Sequence, residues 1–517
     1  MISSQIIENA IYDLCVEANT VLGEEVFAKI LEAYNSEENS DSKQALQLIL
    51  QNAQMAYEKK MPLCQDTGQV LVFVKIGEQC QVENLESSIN KAVSKAYEEN
   101  FYRKSVVKNA LFDRTNTKTN TPCVIYTELT EGNELEFNLL IKGAGSENVS
   151  EISMLSPTAT KDEILQYVVS VVKKAGDKGC PPYFIGIGIG GTMEYAGVLS
   201  KKALLLVDTP HPQPLPPSQS ILNRLGGVLR KGRGEKPEQH KIFAEKIKAA
   251  INELNIGAAG RGGLSTALDV KILIDFTHIA CMPVAVTINC HSLRHAKCVI
   301  GGEEKGKGGM EVKRYRGMEL QEPQNCPTLQ PKAIHPYLQP SIPPYRLSTF
   351  QPKNYTQINS SDIEQLKSLK KGQKVLLSGE IYTARDMAHK RLIELIEKGE
   401  KLPFDVQDKI IFYAGPCPCA EDCVVGSIGP TTSSRMDKFA PILYENGILA
   451  TIGKGERSKE VEKTVKQLGG LYFTVIGGIS CYLSEKFIGK ELVAFEDLGT
   501  EAVYRFEVKD LPLRLEF

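Results

Sequence analysis

A few short stretches hold side chains whose types and spacing suit chemistry. "CQDTG", Cys64 to Gly68, sets a thiol two residues from the carboxylate of Asp66, with Gln65 between them. On its own it describes equally well a buried cysteine beside a turn-forming aspartate. "THIACMPVAVTINCHSLRHA" carries His278 and Cys290, with His291, Arg294 and His295 following, but none of the short Cys-x2-Cys or His-x3-His pairs of a structural zinc site. "AGPCPCAEDCVVGSIGPTTSSRMD" holds Cys417, Cys419 and Cys423, the densest thiol group in the chain, and after them Thr431 and Arg435. With Arg385 in "SGEIYTARDMAHKR" and Lys454 in "IGKG", the chain places three cations beside glycine or hydroxyl turns. That arrangement suits a small carboxylate-bearing substrate, because guanidinium binds carboxylate through two parallel hydrogen bonds. Finally, Gly186-x-Gly188-x-x-Gly191 in "FIGIGIGG", with Asp208 beyond it, matches the dinucleotide fingerprint on paper and keeps a nicotinamide-dependent dehydrogenase as an alternative. Isoleucines interleave with these glycines and Cys180-Pro181-Pro182 precedes them, so close backbone packing in a glycine-rich turn is the preferred reading of the pattern.

The elements that must position these residues read as mixed α/β or α+β. Helical periodicity runs to about Tyr57, and "QVLVFVKIG" then forms a strand directly after "MPLCQDTG". "NELEFNLLIKG", "YFIGIGIGG", "KKALLLVD" and "PVAVTINC" are expected as short strands, alternating with helices such as "DEILQYVVSVVKKAG". Between Gln321 and Tyr355 lie eight of the 26 prolines with little periodic apolar pattern, which marks a linker. The expected division is therefore a larger unit over 1–320, a linker over 321–355 and a smaller unit over 356–517. In the smaller unit a helix, a strand and a long helix near Ala384 precede "KIIFYAGP", "GILATIGKG" and "LYFTVIGG". These are apolar strands that end in glycine loops, where ligand groups bind. "DTPHPQPLPPSQS" and the basic "RKGRGEKPEQHK" read as a surface loop near 209–240.

A chain of 517 residues with 42% apolar and 24% charged residues is long enough for several domains. Its net charge of -2 gives no general attraction to nucleic acid or anionic membrane, so any anion site is built locally. No apolar run is long enough to span a bilayer, and the N-terminus reads as an amphipathic helix. A cytoplasmic protein is expected. Its 13 cysteines lack the even spacing of a disulfide framework.

Taken together and in order, "CQDTG", "NTKTNTP", "KGAGSEN", "CPPYFIGIGIGG", "NIGAAGRGG", "THIACMPVAV", "SGEIYTARDMAHKR", "GPTTSSRMD", "IGKG" and "EDLGTEAVYRFEV" resemble the class I, iron-sulfur family of hydro-lyases. That family comprises fumarate hydratase and the related L-tartrate dehydratase. The resemblance covers nearly the whole chain. It implies a fused single-chain form, with a larger N-terminal cluster-binding domain and a smaller C-terminal α/β domain of swivelling type. The active site is then expected between the two, and a homodimer is implied. It also implies a [4Fe-4S] cluster held by Cys64, Cys180 and Cys290; three thiolates on a four-iron cubane leave one iron open as a Lewis acid.

On the same resemblance Asp66 pairs with Thr431 for proton removal, since a threonine hydroxyl alone is too weak an acid near neutral pH. Gln65, Arg103, Gly145, His278, Arg385, Arg435 and Lys454 are implied to line the pocket of a C4 dicarboxylate, with Arg114 competing for the role of Arg103. The implied reaction is reversible hydration of fumarate to (S)-malate, with dehydration of L-tartrate or a related C4/C5 dicarboxylate as the rival. A non-catalytic cluster-binding protein is a third reading. "CPCAEDC" and the proline-rich loop depart from the family pattern, and Cys417, Cys419 and Cys423 are left without a matched role.

Overall fold

A computed structural model describes residues 1–207, 237–301, 312–314, 350, 352, 354–421 and 423–517. The expected linker at 321–355 lies almost wholly outside the described residues, as do Asp208 and the proline-rich loop. The end of the basic run is described, and begins a helix at Pro237.

Three helices open the chain, α1 (Ser4–Thr20), α2 (Glu24–Ser36) and α3 (Ser40–Lys59), followed by β1 (Gln69–Gly77) and α4 (Leu85–Glu99). The strands β2 (Val124–Thr130) and β3 (Leu135–Lys142) lead to a short turn of helix, α5 (Ala144–Glu147). Then come β4 (Glu151–Leu155), α6 (Lys161–Ala175), β5 (Tyr183–Gly191), α7 (Met193–Leu204), α8 (Pro237–Asn252), β6 (Ala267–Thr277), β7 (Met282–Asn289), β8 (Arg294–Ile300) and β9 (Val312–Arg314). Among the described residues these strands form a five-stranded sheet, β2-β1-β3-β8-β9, and a four-stranded sheet, β4-β7-β5-β6.

The period-two pattern of β1 explains its place. Val70, Val72 and Val74 face the core shared with α1 and α4, while Leu71 and Phe73 face the core containing α3. On the same sheet Glu136 stands 2.9 Å from Lys75 and 3.0 Å from Lys297. Burial alone would raise this carboxyl, but Lys297 and Lys75 outweigh it and hold it down to about 2. A folded value below the unfolded one means stabilisation that is present above the unfolded pKa, about 4.3, and is lost as the pH falls through the folded one. Glu136→Gln is therefore expected to cost about 1–3 kcal/mol at neutral pH. Urea titrations at falling pH should show the deficit shrinking, and a constant deficit down to pH ~3 would contradict the ion triad.

One sequence expectation is corrected here. "KKALLLVD" is not a strand: Lys201–Leu204 complete α7 and Leu205–Val207 form a turn, with Leu204 and Val207 buried. A short apolar run reads alike as a buried strand or a buried helix end. The glycine pattern at 186–191 follows the packing reading, because Gly186 and Gly188 lie inside β5, the strand expected of "YFIGIGIGG". A Cβ on them would meet the Ser200 and Ala196 carbonyls of α7 at 2.0 and 2.1 Å. Glycine is required there for α7 to lie directly on the strand.

The remaining elements are β10 (Tyr355–Asn359), α9 (Ile363–Ser368), β11 (Lys374–Thr383), α10 (Asp386–Glu397), β12 (Ile410–Phe412), α11 (Ala440–Glu445), β13 (Ala450–Gly453), α12 (Lys459–Gln467), β14 (Leu471–Thr474), α13 (Ser480–Ser484), β15 (Phe487–Ala494) and β16 (Val503–Leu515). They build one seven-stranded sheet, β10-β11-β12-β13-β14-β16-β15. Strands β10 to β14 are parallel and β16 runs antiparallel along β11. The loops leaving β11, β12, β13 and β14 therefore emerge at one edge, the carboxyl end where open α/β sheets bind ligands. Leu46, Ile49, Leu50 and Ala53 of α3 share a core with Val375, Leu377, Ile452 and Phe473 of this sheet, so the two parts of the chain are packed together. No described helix is long and apolar enough to cross a membrane.

Candidate functional site

The carboxyl edge of the C-terminal sheet faces three thiols of the N-terminal part. Cys64 lies in the loop between α3 and β1, Cys180 just before β5 and Cys290 just after β7. Burial pushes the Cys64 thiol up. It also pushes the Cys290 thiol up, with Cys180 and Cys64 adding to the rise. The three thiols thus act on one another although they come from distant segments. Lys454, at the end of β13, donates from Nζ to Cys180 Sγ at 2.7 Å. Its burial would lower its pKa, but the three thiols overcome this and raise it, so the ammonium stays charged among them.

No group of three His, Cys, Asp or Glu side chains among the described residues converges closely enough to hold a single metal ion. Three soft sulfur donors set apart suit a cluster whose irons each take one thiolate, rather than one centre that takes all three. The donor set therefore fits the cluster that the sequence implies.

Beside Cys64, Asp66 is wholly engaged. Its Oδ2 accepts the Ala144 N–H at 2.8 Å, and its Oδ1 accepts the Gly68 N–H at 3.2 Å and stands 3.3 Å from Arg103 Nη2. Burial opposes ionisation here, but Arg103, Arg294 and the two N–H donors prevail and hold the carboxyl below its usual range. Gln65 is buried; its amide donates to the Pro430 carbonyl at 3.4 Å, and its Oε1 accepts from Ser480 Oγ. The glycines at the start of α5 press on this group. A Cβ on Gly143 would meet Asp66 Oδ2 at 3.1 Å, and one on Gly145 would stand 3.5 Å from Lys454 Nζ.

The C-terminal cations close the other side. Arg385, the residue before α10, contacts Asp386 at 3.2 Å and Glu501 at 3.3 Å. Burial lowers its pKa; Glu501 opposes that, and Arg103 and Arg435 reinforce it, so three guanidinium groups share one region. Arg435 is held by both oxygens of Asp386, with Nε 3.1 Å from Oδ1. Thr431 is buried on the segment that crosses between β12 and β13. Its N–H donates to the Tyr413 carbonyl at 2.6 Å, and its carbonyl accepts the Lys454 N–H at 3.2 Å. Among the described residues no hydrogen bond joins Asp66 to the Thr431 hydroxyl. A cavity of about 340 Å³ opens beside Cys180, Lys454 and Gly477, with Asp177, Gly260 and Arg457 further out.

The structure thus brings Cys64, Gln65, Asp66, Arg103, Gly145, Cys180, Cys290, Arg385, Thr431, Arg435 and Lys454 into one region, joined by hydrogen bonds, ion pairs and close approach and, for Cys290, by its electrostatic interaction with Cys180 and Cys64. It places Arg103, not the exposed Arg114, at Asp66. His278 is the exception. It sits exposed on the turn between β6 and β7, where Nδ1 accepts the Ala280 N–H at 3.1 Å. Sequence reasoning missed Arg294, which is 2% exposed and acts on both Asp66 and Cys64. It also missed Cys417, whose thiol is buried against the Gln65 carbonyl at 3.4 Å. Arg294 follows Cys290 closely, and that proximity was the available signal. Cys417 had none, because its contacts lie far away in the chain. Cys419 packs its sulfur 3.3 Å from the Cys423 carbonyl, and the trio forms no metal-holding group among the described residues.

Comparison with known proteins gives a consistent picture. The family model described as fumarate hydratase (Fumerase) matches residues 8–299, and the one described as the fumarase C-terminus matches residues 339–516. The chain is 30% identical to fumarate hydratase 2 of Leishmania major, over 90% of this chain and 76% of that protein. It is 30% identical to the aerobic class I fumarate hydratase of Salmonella typhimurium, over 94% of this chain and 78% of that one. A Methanocaldococcus jannaschii protein described as "Putative L(+)-tartrate dehydratase subunit alpha" is 36% identical over 56% of this chain and 96% of its own length.

Proposed function

The chain is a hydro-lyase of the class I fumarate hydratase and tartrate dehydratase family, in single-chain form, and from that premise we propose that it interconverts fumarate and (S)-malate. The observation that supports this reading most is the meeting of Cys64, Cys180 and Cys290 with an ionised Asp66 and a shell of cations drawn from both ends of the chain. The three thiolates would hold a [4Fe-4S] cluster. When bound, that cluster supplies a Lewis acid for the substrate's hydroxyl and the carboxylate beside it.

The protein's own residues do the rest. Arg103, Arg385 and Arg435 hold the remaining carboxylate through paired hydrogen bonds and stabilise the charge that builds on it as C3 loses its proton. Two of these guanidinium groups already rest on acids, Asp386 and Glu501, so substrate takes over contacts that are preformed. Lys454 neutralises the Cys180 thiolate and keeps the site's charge balanced. Asp66 stays ionised at neutral pH, and with the Thr431 hydroxyl it takes the C3 proton. The pair closes only around substrate, since catalytic hydrogen bonds are often long before it binds. The site is assembled from both parts of the chain, and the homodimer implied by the family belongs to the same proposal.

L-tartrate is the second reading, supported by the tartrate dehydratase similarity over the N-terminal part. Malate and tartrate differ by one hydroxyl, and the cations described above recognise only the shared carboxylates. Protein reconstituted with iron and sulfide under argon is expected to turn over (S)-malate faster than L-tartrate. Brisk tartrate turnover without malate turnover would reverse the assignment, and activity with neither would remove it.

A further inference from the structure

Gly477 and Gly478 follow β14 and touch the surroundings of all three thiols. A Cβ on Gly477 would stand 2.5 Å from Cys180 Sγ, and one on Gly478 would stand 2.4 Å from His291 Nε2. The Gly478 φ of +80° likewise favours glycine. His291 directly follows Cys290 and is 1% exposed; its Nε2 lies 3.2 Å from the Gly477 carbonyl and its Nδ1 3.2 Å from Ser292 Oγ. The two contacts complement each other when Nε2–H donates to the carbonyl and the serine hydroxyl donates to Nδ1. On the far side Asn52 of α3, also 1% exposed, donates to the Gly478 carbonyl at 3.4 Å and to the Leu63 carbonyl at 3.0 Å. Leu63 is the residue before Cys64. The Asn52 oxygen accepts the Tyr482 N–H at 3.0 Å, which ties α3 to α13 as well.

The glycine pair therefore abuts Cys180 directly, reaches Cys290 through His291 and reaches Cys64 through Asn52. We propose that Asn52 and His291 are positioning residues that register two thiol loops on this turn, so the C-terminal part of the chain sets the spacing of three thiols that the N-terminal part carries. This rests on the reading of those thiols as the cluster ligands. Buried polar groups bonded to this degree fix geometry, because any shift leaves a donor or acceptor unpaired. Side chains that orient metal ligands without touching the metal are worth about 10–100-fold in metal affinity.

The test compares Asn52→Leu and His291→Leu with His291→Gln, whose amide can still donate to the Gly477 carbonyl. Two quantities are measured: iron release from the reconstituted protein to a chelator under argon, and iodoacetamide labelling of each cysteine in the cluster-free protein, read by peptide mass spectrometry. Expected are iron release on the order of 10–100-fold faster in the Leu variants, near wild-type release in His291→Gln, and faster labelling of Cys64 or Cys290 but not of the core thiols Cys15 and Cys298. Wild-type release and labelling in the Leu variants would overturn the inference, as would faster labelling of all four thiols, which reports general loosening. If wild-type protein itself takes up no iron, the cluster reading has failed, and the labelling pattern alone then decides the positioning role.

Discussion

Cys290→Ser protein is expected to fold, to take up little iron and sulfide on anaerobic reconstitution, and to show no turnover above background. Serine keeps the shape of the side chain, but its hydroxyl does not ionise near neutral pH and is a harder donor than the soft thiolate that iron-sulfur chemistry selects. Cys64→Ser and Cys180→Ser should behave alike, with one difference. Cys180→Ser also replaces the sulfur that accepts from the buried Lys454 ammonium by the neutral, shorter hydroxyl of serine. It should therefore be the least stable of the three, because a buried charge with a weakened partner is costly. Iron and sulfide counts, visible absorbance and thermal unfolding of the cluster-free proteins check both statements. Full iron uptake by any one variant would remove that cysteine from the ligand set. Cys423→Ser is the control, since its thiol is exposed and lies outside the gathered group.

Asp66→Asn is expected to lower kcat by about 10²–10⁴-fold, the range for loss of a positioned general base. The amide cannot accept the C3 proton, and it leaves Arg103 without its carboxylate. Thr431→Ala should fall in the same range with its iron content intact, because Thr431 touches no thiol in the recorded contacts. If the two act as one base, Asp66→Asn combined with Thr431→Ala falls little further than either alone. Additive losses would mean separate roles. Because Arg103 and Arg294 overcome burial to keep Asp66 below its ordinary range, protonation of this group should not limit kcat/KM above pH ~4. An acid limb near neutral pH that disappears in Asp66→Asn would contradict that.

Much of this was legible from residue order. The apolar runs ending in glycine in the second half are parallel strands, and Lys454 leaves the end of one of them, while Arg385 lies between the preceding strand β11 and α10, near the helix start read from the sequence. Periodicity failed where burial made it uninformative, in "KKALLLVD"; the glycines of β5 lie in the strand expected there, and their purpose is visible only once α7 lies against them. The Cys417 group, left without a matched role by the sequence, holds one thiol buried behind Gln65 and another exposed.

By itself the sequence determined the mixed α/β class, the family and the identity of the chemical groups, because residue types and ordered motifs are written along the chain. Only the tertiary structure decided that Arg103 rather than Arg114 meets Asp66, that His278 stands apart, and that Arg294, His291 and Asn52 belong with the thiols. Those choices depend on contacts between segments far apart in the chain. Packing two core-sharing units face to face settles which polar groups are buried together, and nothing local in the sequence encodes that.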